Sequence, residues 1–271
     1  QVNLENITLS NVPYSIRFNG RTQGWRKGEV KMDYEAPAPM YTINEFSHGL
    51  HINVPHGSEG AVEFTTKIDE IPIKSLGEFP LKDTPSLPNQ NTWVNITDLG
   101  AKGNGETDCT KIFEKAIAKY DAIYIPIGNY VLSNTLTLKA NTTLIGFHPL
   151  KTRLVVKDNT EGFQNVNNGK PLIIAPKNGK NGISGIGLNL GFNPGIIGVK
   201  WMAGANSYIN DGLFTSKHNR SHFGIGQLHT IWITDGGGGI FKNFWISDRK
   251  PKLSFYINNT TTPGKIYEIS V

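Results

Sequence analysis

Carboxylates are scarce in the second half of the chain, so the residues able to do acid or base chemistry form a short list. Cleavage of a glycosidic bond usually takes two carboxylates roughly 5 to 10 Å apart, one to donate a proton and one to activate water or attack the sugar. Asp211 and Asp235 each follow a short apolar segment and precede a glycine, so each is expected where a strand meets a turn. We predict that these two are the catalytic carboxylates. The acids of residues 122–271 are Asp158, Glu161, Asp211, Asp235, Asp248 and Glu268.

The spacing of Asp211 and Asp235 gives a further expectation about their geometry. The interval between them is near the length of one coil in a fold of stacked strands, which predicts that they lie on one face. The Asp-Gly pair is also common in tight turns, because both residues tolerate the backbone angles found there. That structural interpretation remains open for both positions.

Histidine and tryptophan side chains surround the same segment. His222 and His229 lie between the two carboxylates, and Trp232 comes just before Asp235. Imidazoles can orient sugar hydroxyls, and an indole ring can stack on a sugar face. We predict that these three residues bind substrate, with positions in the core or on the polar surface as the alternative. No helical pair of histidines at metal-ligand spacing is evident, so no metal or other cofactor is expected.

Charge is distributed unevenly along the chain. Residues 1–90 carry 8 Lys and Arg against 11 Asp and Glu, which leaves 19 of 27 against 11 of 22 in residues 91–271. A basic surface can attract an anionic polymer, which keeps open a polysaccharide lyase that uses a basic side chain to remove a proton beside a uronate carboxylate. Nucleic acid is not expected as a partner, since no helix-turn-helix, zinc-finger or RRM pattern occurs. No apolar run is long enough for a membrane span.

The elements that must position these residues are mainly strands. The chain has 30 Gly and 15 Pro, and 18% of its residues are charged, which excludes a disordered chain and a coiled coil. Short apolar segments recur after residue 120 with turns between them, which predicts an all-β fold, a right-handed parallel β-helix. One amphipathic helix is predicted near Asp108–Tyr120, where it would cap the open end of the coils. A meander or sandwich of hairpins remains the alternative.

Proline placement suggests a division of the chain. Residues 1–68 are predicted to be the C-terminal coils of a first β-helix, and residues 69–92, which contain four prolines, a linker. Residues 93–271 are predicted to be the cap helix and first coils of a second β-helix. The chain would then hold two partial solenoids and be a fragment of a larger polypeptide.

The segment from residue 94 to residue 108, VNITDLGAKGNGETD, resembles the start of the pectate-lyase-like superfamily of parallel β-helix proteins. In that superfamily a strand and a Gly-rich turn precede a cap helix, here with Ile112, Ala116 and Ile117. Residues 123–130 and 136–146 resemble the segments that follow. The resemblance is close over residues 93–157. It implies the fold but little about chemistry, because glycosidases, lyases, epimerases and phage tailspikes share this start.

The tandem arrangement is similar to that of the family 55 glycoside hydrolases, exo-acting β-1,3-glucanases that bind substrate between two β-helices. Residues 232–243 resemble bacterial members of this group. The resemblance implies an enzyme that hydrolyses O-glycosyl bonds of a β-glucan-like polysaccharide, secreted or periplasmic in a bacterium. A polysaccharide lyase and a non-catalytic carbohydrate-binding, adhesin or tailspike-like β-helix remain the alternatives.

Overall fold

The structure is a computed structural model that describes residues 2–17, 33–53, 61–75, 84–217, 227–247 and 251–270. The chain divides into two compact units, Gln1–Leu81 and Lys82–Val271.

The first unit is built from antiparallel strands. The central strand β4 pairs with β1 on one side and β5 on the other, and β2 pairs with β3. Tyr41, Ile43 and Phe46 of β4 are buried and form a small core. The strands are β1 (Val2–Ser10), β2 (Tyr14–Arg17), β3 (Asp33–Glu35), β4 (Met40–Asn53) and β5 (Ala61–Pro72).

Residues 1–68 were predicted to be coils of a parallel β-helix. That prediction is wrong for the described strands, because they pair antiparallel. Parallel neighbours need a long crossover to return the chain, whereas β4 and β5 are separated by only residues 54–60, a length that suits a hairpin. The range 69–92 predicted as a linker begins inside β5. Within that range, residues 84–89 form neither helix nor strand.

The described part of the second unit contains one α-helix, two short 3-10 helices and a series of parallel strands. The helices are α1 (Thr110–Lys119) and the 3-10 turns Gln90–Thr92 and Ile96–Leu99. The strands are β6 (Val94–Asn95), β7 (Asn104–Asp108), β8 (Ala122–Ile125), β9 (Gly128–Val131), β10 (Leu136–Thr137), β11 (Thr143–Gly146), β12 (Thr152–Val155), β13 (Lys170–Ala175), β14 (Gly182–Asn189), β15 (Ile196–Trp201), β16 (Tyr208–Thr215), β17 (Gln227–Ile233), β18 (Gly239–Ser247), β19 (Pro251–Ile257) and β20 (Gly264–Ser270).

These strands alternate between two parallel sheets. One sheet has the order β10-β13-β15-β17-β19, and the other runs β20-β18-β16-β14-β11-β8-β6, with β7, β9 and β12 beside it. Val199, Ile231 and Phe255 are register partners on β15, β17 and β19, which are neighbours in the first of these sheets. The coil from Val199 to Ile231 therefore contains more residues than the coil from Ile231 to Phe255. Parallel pairing between strands of successive coils, with strands of the other sheet between them in the chain, is the topology of a parallel β-helix. The prediction of a parallel β-helix is confirmed for this unit, and the hairpin alternative does not hold for its described strands.

A continuous apolar core fills the space between the sheets. Strand residues such as Ile183, Ile209 and Phe241 stack in register and are buried. The predicted helix is present and starts at Thr110, and its buried residues Phe113 and Ala116 belong to the same core. None of the helices in the described part of the chain is long and apolar enough to cross a membrane.

Asp108 stabilises the start of α1. Its Oδ1 accepts from the backbone N–H of Thr110 at 2.9 Å and from the Thr110 hydroxyl, and its Oδ2 accepts from the Ser133 hydroxyl at 2.5 Å. Burial alone would raise the pKa of Asp108, but the hydrogen bonds from Ser133 and Thr110 outweigh it, so the pKa is lowered. The ionised carboxylate is therefore the form that stabilises the folded state.

We expect Asp108→Ala to lower the free energy of unfolding by about 1 to 2 kcal/mol at neutral pH, because the Thr110 amide and the Thr110 and Ser133 hydroxyls lose their acceptor. Since the folded-state pKa is lowered, the difference from wild type should shrink as the pH falls through and below the ordinary Asp value of about 4. Urea unfolding at several pH values measures this, with the exposed Glu106→Ala as control. Equal stability of the Asp108→Ala and Glu106→Ala variants would contradict the capping role.

Candidate functional site

Polar and aromatic side chains lie together on the outward face of β15, β17 and β19. Ile231 and Ile233 of β17 are buried, so Trp232 between them points away from the core. Register places Lys200 of β15 and Tyr256 of β19 beside Trp232 on the coils before and after it. The stacking of coils therefore assembles this surface from residues distant in sequence.

The rings of His229, Trp232 and Tyr256 form what we call the aromatic face. The His229 and Tyr256 ring centroids are 4.8 Å apart with planes at 27°, and those of Trp232 and Tyr256 are 6.3 Å apart at 23°. The centroids of His229 and Trp232 are also 6.3 Å apart. The Trp232 indole N–H donates to Asn258 Oδ1 at 2.8 Å, which fixes the ring. These partly exposed, ordered rings are suited to flat apolar ligand surfaces.

Asp235 lies at the edge of the aromatic face, in the turn after β17. Its Oδ2 is 3.4 Å from Lys200 Nζ, and its Oδ1 accepts from Asn259 Nδ2 at 2.7 Å. Lys200 Nζ also lies 4.7 Å from the Trp232 ring centroid. Lys200 therefore links the carboxylate to the rings. Asp235 and the following Gly236 have φ of 50° and 88°, a conformation that Asp and Gly tolerate well.

His229 differs from a solvated histidine in its proton affinity. Burial lowers its pKa, and the nearby positive charge of Lys252 lowers it further, while the hydrogen bond with the Leu253 carbonyl acts in the opposite direction. The His229 Nδ1 lies 3.3 Å from that carbonyl oxygen. With Nδ1 donating its proton there, Nε2 keeps a lone pair that can accept a hydrogen bond or act as a base.

Stability should depend on the His229 ionisation. Because its folded-state pKa is lowered, the unfolded chain binds more protons as the pH falls below the ordinary His value of about 6.5, and the folded state loses stability there. We expect His229→Gln to reduce the fall in melting temperature between about pH 7 and pH 5. Thermal unfolding of both proteins across this range measures the effect. An unchanged pH slope in the variant would contradict the lowered pKa.

Asp211 lies elsewhere, within strand β16 of the other sheet. Register aligns it with Gly185 on the coil before and Asn243 on the coil after, and all three have positive φ, at 53° for Asp211, 70° for Gly185 and 54° for Asn243. Each long strand bends at this position, and Gly, Asn and Asp are the residues that adopt such angles most readily. The prediction that Asp211 stacks on Asp235 is wrong, because register places Asn243 rather than Asp235 on the coil after Asp211.

The structure thus brings together three of the residues selected from sequence, namely Asp235, His229 and Trp232. His222 lies outside the described residues. Lys200 and Tyr256 were not anticipated. Each lies one coil from Trp232, but the coil from Lys200 to Trp232 contains more residues than the coil from Trp232 to Tyr256. Because the two coils differ in length, a fixed repeat in the sequence does not reveal that these three residues are neighbours.

Metal ligands do not cluster in the described part of the chain, where no three His, Cys, Asp or Glu side chains come together. The Trp201 ring is fully buried, and its N–H donates to the Gly238 carbonyl at 3.0 Å. Trp201 is therefore part of the core, whereas Trp232 faces outward.

Strand register makes the second unit a parallel β-helix that carries an outward aromatic surface. The family of rhamnogalacturonase A/epimerase, pectate lyase-like proteins matches residues 93–268. This match covers more than half of the chain, so the chain belongs to that pectate-lyase-like family.

Curated relatives match a shorter stretch. Over 53 residues the chain is 43% identical to the preneck appendage protein of Bacillus phage PZA and 42% identical to the pre-neck appendage protein of Bacillus phage phi29. Each match covers 20% of this chain and spans only 6% of the length of the phage protein.

Similar solved structures include two from different kinds of protein. One is an iota-carrageenase complexed to iota-carrageenan fragments, with a TM-score of 0.41 and 17% identity over 65% of this chain and 40% of that one. Another is the pre-mature bacteriophage phi29 gene product 12, with a TM-score of 0.36 and 18% identity over 65% of this chain and 32% of that one.

Proposed function

We propose that this protein binds a polysaccharide across the aromatic face. The observation that carries the proposal is the clustering of His229, Trp232 and Tyr256 on one outward surface beside the Lys200–Asp235 ion pair. The rings offer flat apolar surfaces to the C–H faces of sugars, and the charged and amide groups at the edge can hydrogen-bond hydroxyls. Membership of a pectate-lyase-like family supports a carbohydrate ligand.

For the activity, we propose hydrolysis of glycosidic bonds in a β-glucan-like polymer, with Asp235 as the acid or base. Asp235 lies at the edge of the aromatic face, where a bound sugar chain would meet its carboxylate. Hydrolysis usually requires a second carboxylate. Asp211 is set in the bend of β16, so we leave it out of the proposed site.

A lyase is the second candidate, and one observation favours it. His229 has a lowered pKa, its Nε2 keeps a lone pair when Nδ1 donates to the Leu253 carbonyl, and the Lys200 ammonium lies on the same surface. A neutral imidazole can remove the proton next to a uronate carboxylate while a cation stabilises the developing charge. Hydrolysis and elimination give different products, which separates the two candidates.

We expect Asp235→Asn to lower turnover roughly 10²- to 10⁴-fold, the usual contribution of a positioned acid or base. Asp211→Asn is the matched control, since Asn also tolerates positive φ, and it should retain turnover. Unchanged turnover in the Asp235→Asn protein would remove this carboxylate from the mechanism.

Product analysis of the wild-type protein distinguishes the classes. New reducing ends without ultraviolet absorbance from an unsaturated uronate identify a hydrolase, whereas such absorbance identifies a lyase. Binding without either product identifies a non-catalytic carbohydrate-binding protein.

We also propose that the protein acts outside the bacterial cytoplasm, secreted or in the periplasm, as part of a longer polypeptide. A polymer substrate is too large to reach an enzyme inside the cell before it is cleaved. Fractionation of the source cells, with detection of the protein by antibody, tests this location.

A further inference from the structure

A concave surface lies within the second unit on the sheet that contains β6, β8 and β11. It is a cavity of about 510 Å³ whose walls include Trp93, Tyr124 and Phe147. Asn95 of β6 and Tyr124 of β8 are register partners there. The aromatic face lies on the other sheet, so the two surfaces belong to different faces of the coils.

Two of the cavity rings are held in place before any ligand binds. The Trp93 and Tyr124 ring centroids are 5.7 Å apart with planes at 27°, and the Trp93 indole N–H donates to the Pro88 carbonyl at 2.9 Å. Phe147 is 61% exposed at the wall of the same cavity. A large exposed apolar ring beside an ordered ring pair is typical of a binding surface, because ordering before binding reduces its entropic cost.

The polar groups of the cavity are uncharged. Asn95 Oδ1 accepts from the backbone N–H and the hydroxyl of Thr97 at 3.0 and 2.8 Å, an arrangement that orients its Nδ2 group as a donor. The exposed Gln90 side chain adds a second amide. The lining residues that the structure describes are all neutral. Burying a charged ligand group here would cost free energy without a compensating ion pair.

We propose that this cavity is a second carbohydrate site, which binds one or two neutral pyranose rings of a polysaccharide. Rings with accessible faces stack on sugars, amides hydrogen-bond hydroxyls, and a described lining without charged side chains favours neutral sugars over uronates. The volume falls in the range of about 300 to 1,000 Å³ typical of small-ligand sites. The proposal extends the proposed polysaccharide function, but it does not require the aromatic face to be a binding site.

The test is isothermal titration with a neutral β-1,3-glucan hexasaccharide and with a hexagalacturonate of equal length. Titrations use the Trp232→Ala protein, so that binding at the aromatic face does not obscure the cavity. Adding Phe147→Ala should weaken binding of the neutral hexasaccharide roughly 2- to 10-fold, as expected for loss of one ring contact. Leu150→Ala is the matched control, because Leu150 is 59% exposed and does not line the cavity.

Three outcomes would overturn the proposal: no binding of the neutral hexasaccharide to the Trp232→Ala protein, equal effects of Phe147→Ala and Leu150→Ala, or binding of the hexagalacturonate as tight as that of the neutral probe. The proposal that the aromatic face binds polysaccharide is tested separately. It fails if Trp232→Ala, introduced alone into the wild type, leaves polysaccharide binding unchanged. Melting curves of each variant check that the fold is retained.

Discussion

Trp232→Ala is expected to weaken binding of the polysaccharide about 30-fold, the loss typical of a tryptophan that anchors a binding surface. The indole is the largest ring of the aromatic face, stacked with Tyr256 and carrying Lys200 over its surface. Its removal also takes the ring away from Lys200, which keeps its ion pair with Asp235, and removes the hydrogen bond to Asn258. Isothermal titration with soluble β-glucan measures the dissociation constant.

Trp245→Ala is the matched control for this experiment. Trp245 is 57% exposed on β18, in the sheet opposite the aromatic face, so its removal deletes the same side chain from a different surface. Its variant should bind as the wild type does. Equal weakening by both substitutions would contradict the location of the site.

Gly146→Ala is expected to lower the free energy of unfolding of the second unit by about 3 kcal/mol, at the upper end for overpacking. A Cβ on Gly146 of β11 would collide with the backbone carbonyl of Gly185 on the next coil. Neither backbone can shift without disturbing the parallel ladder. The expected fall in melting temperature is roughly 6 to 12 °C for a unit of this size.

Gly204→Ala provides the control for this substitution. The nearest heavy atom to a Cβ at Gly204 is 3.6 Å away, an ordinary van der Waals contact. Thermal unfolding of the two variants should therefore differ clearly. Similar melting temperatures would contradict the close approach of successive coils at Gly146.

The fold of the second unit was accessible from sequence because local and repeating features agree there. Gly-rich turns separate short apolar segments, and the stripe that includes Phe113 and Ala116 marks the helix. In the first unit the same kind of apolar segment forms antiparallel strands. Strand composition is alike in both arrangements, and only the loop lengths, such as the short connection between β4 and β5, distinguish them.

The candidate site was only partly accessible from sequence. Asp235 and Trp232 are close along the chain, so local reasoning could join them. Lys200 and Tyr256 lie beside Trp232 because of strand register. The coil that ends at Trp232 is longer than the coil that begins there, so no fixed spacing in the sequence predicts these neighbours. Asp211 was selected for its strand-end position, but a bend that recurs on successive coils explains the residue type there.

The central claim is that a polysaccharide lies on the aromatic face, and footprinting tests it most directly. The protein is labelled by a reactive carbene or hydroxyl radical with and without soluble β-glucan, and the modified residues are quantified by mass spectrometry. The account predicts that Trp232 and Tyr256 lose labelling when the polymer is present, while the exposed Trp245 keeps it. Unchanged labelling of Trp232 and Tyr256 at a polymer concentration that saturates binding would contradict the claim.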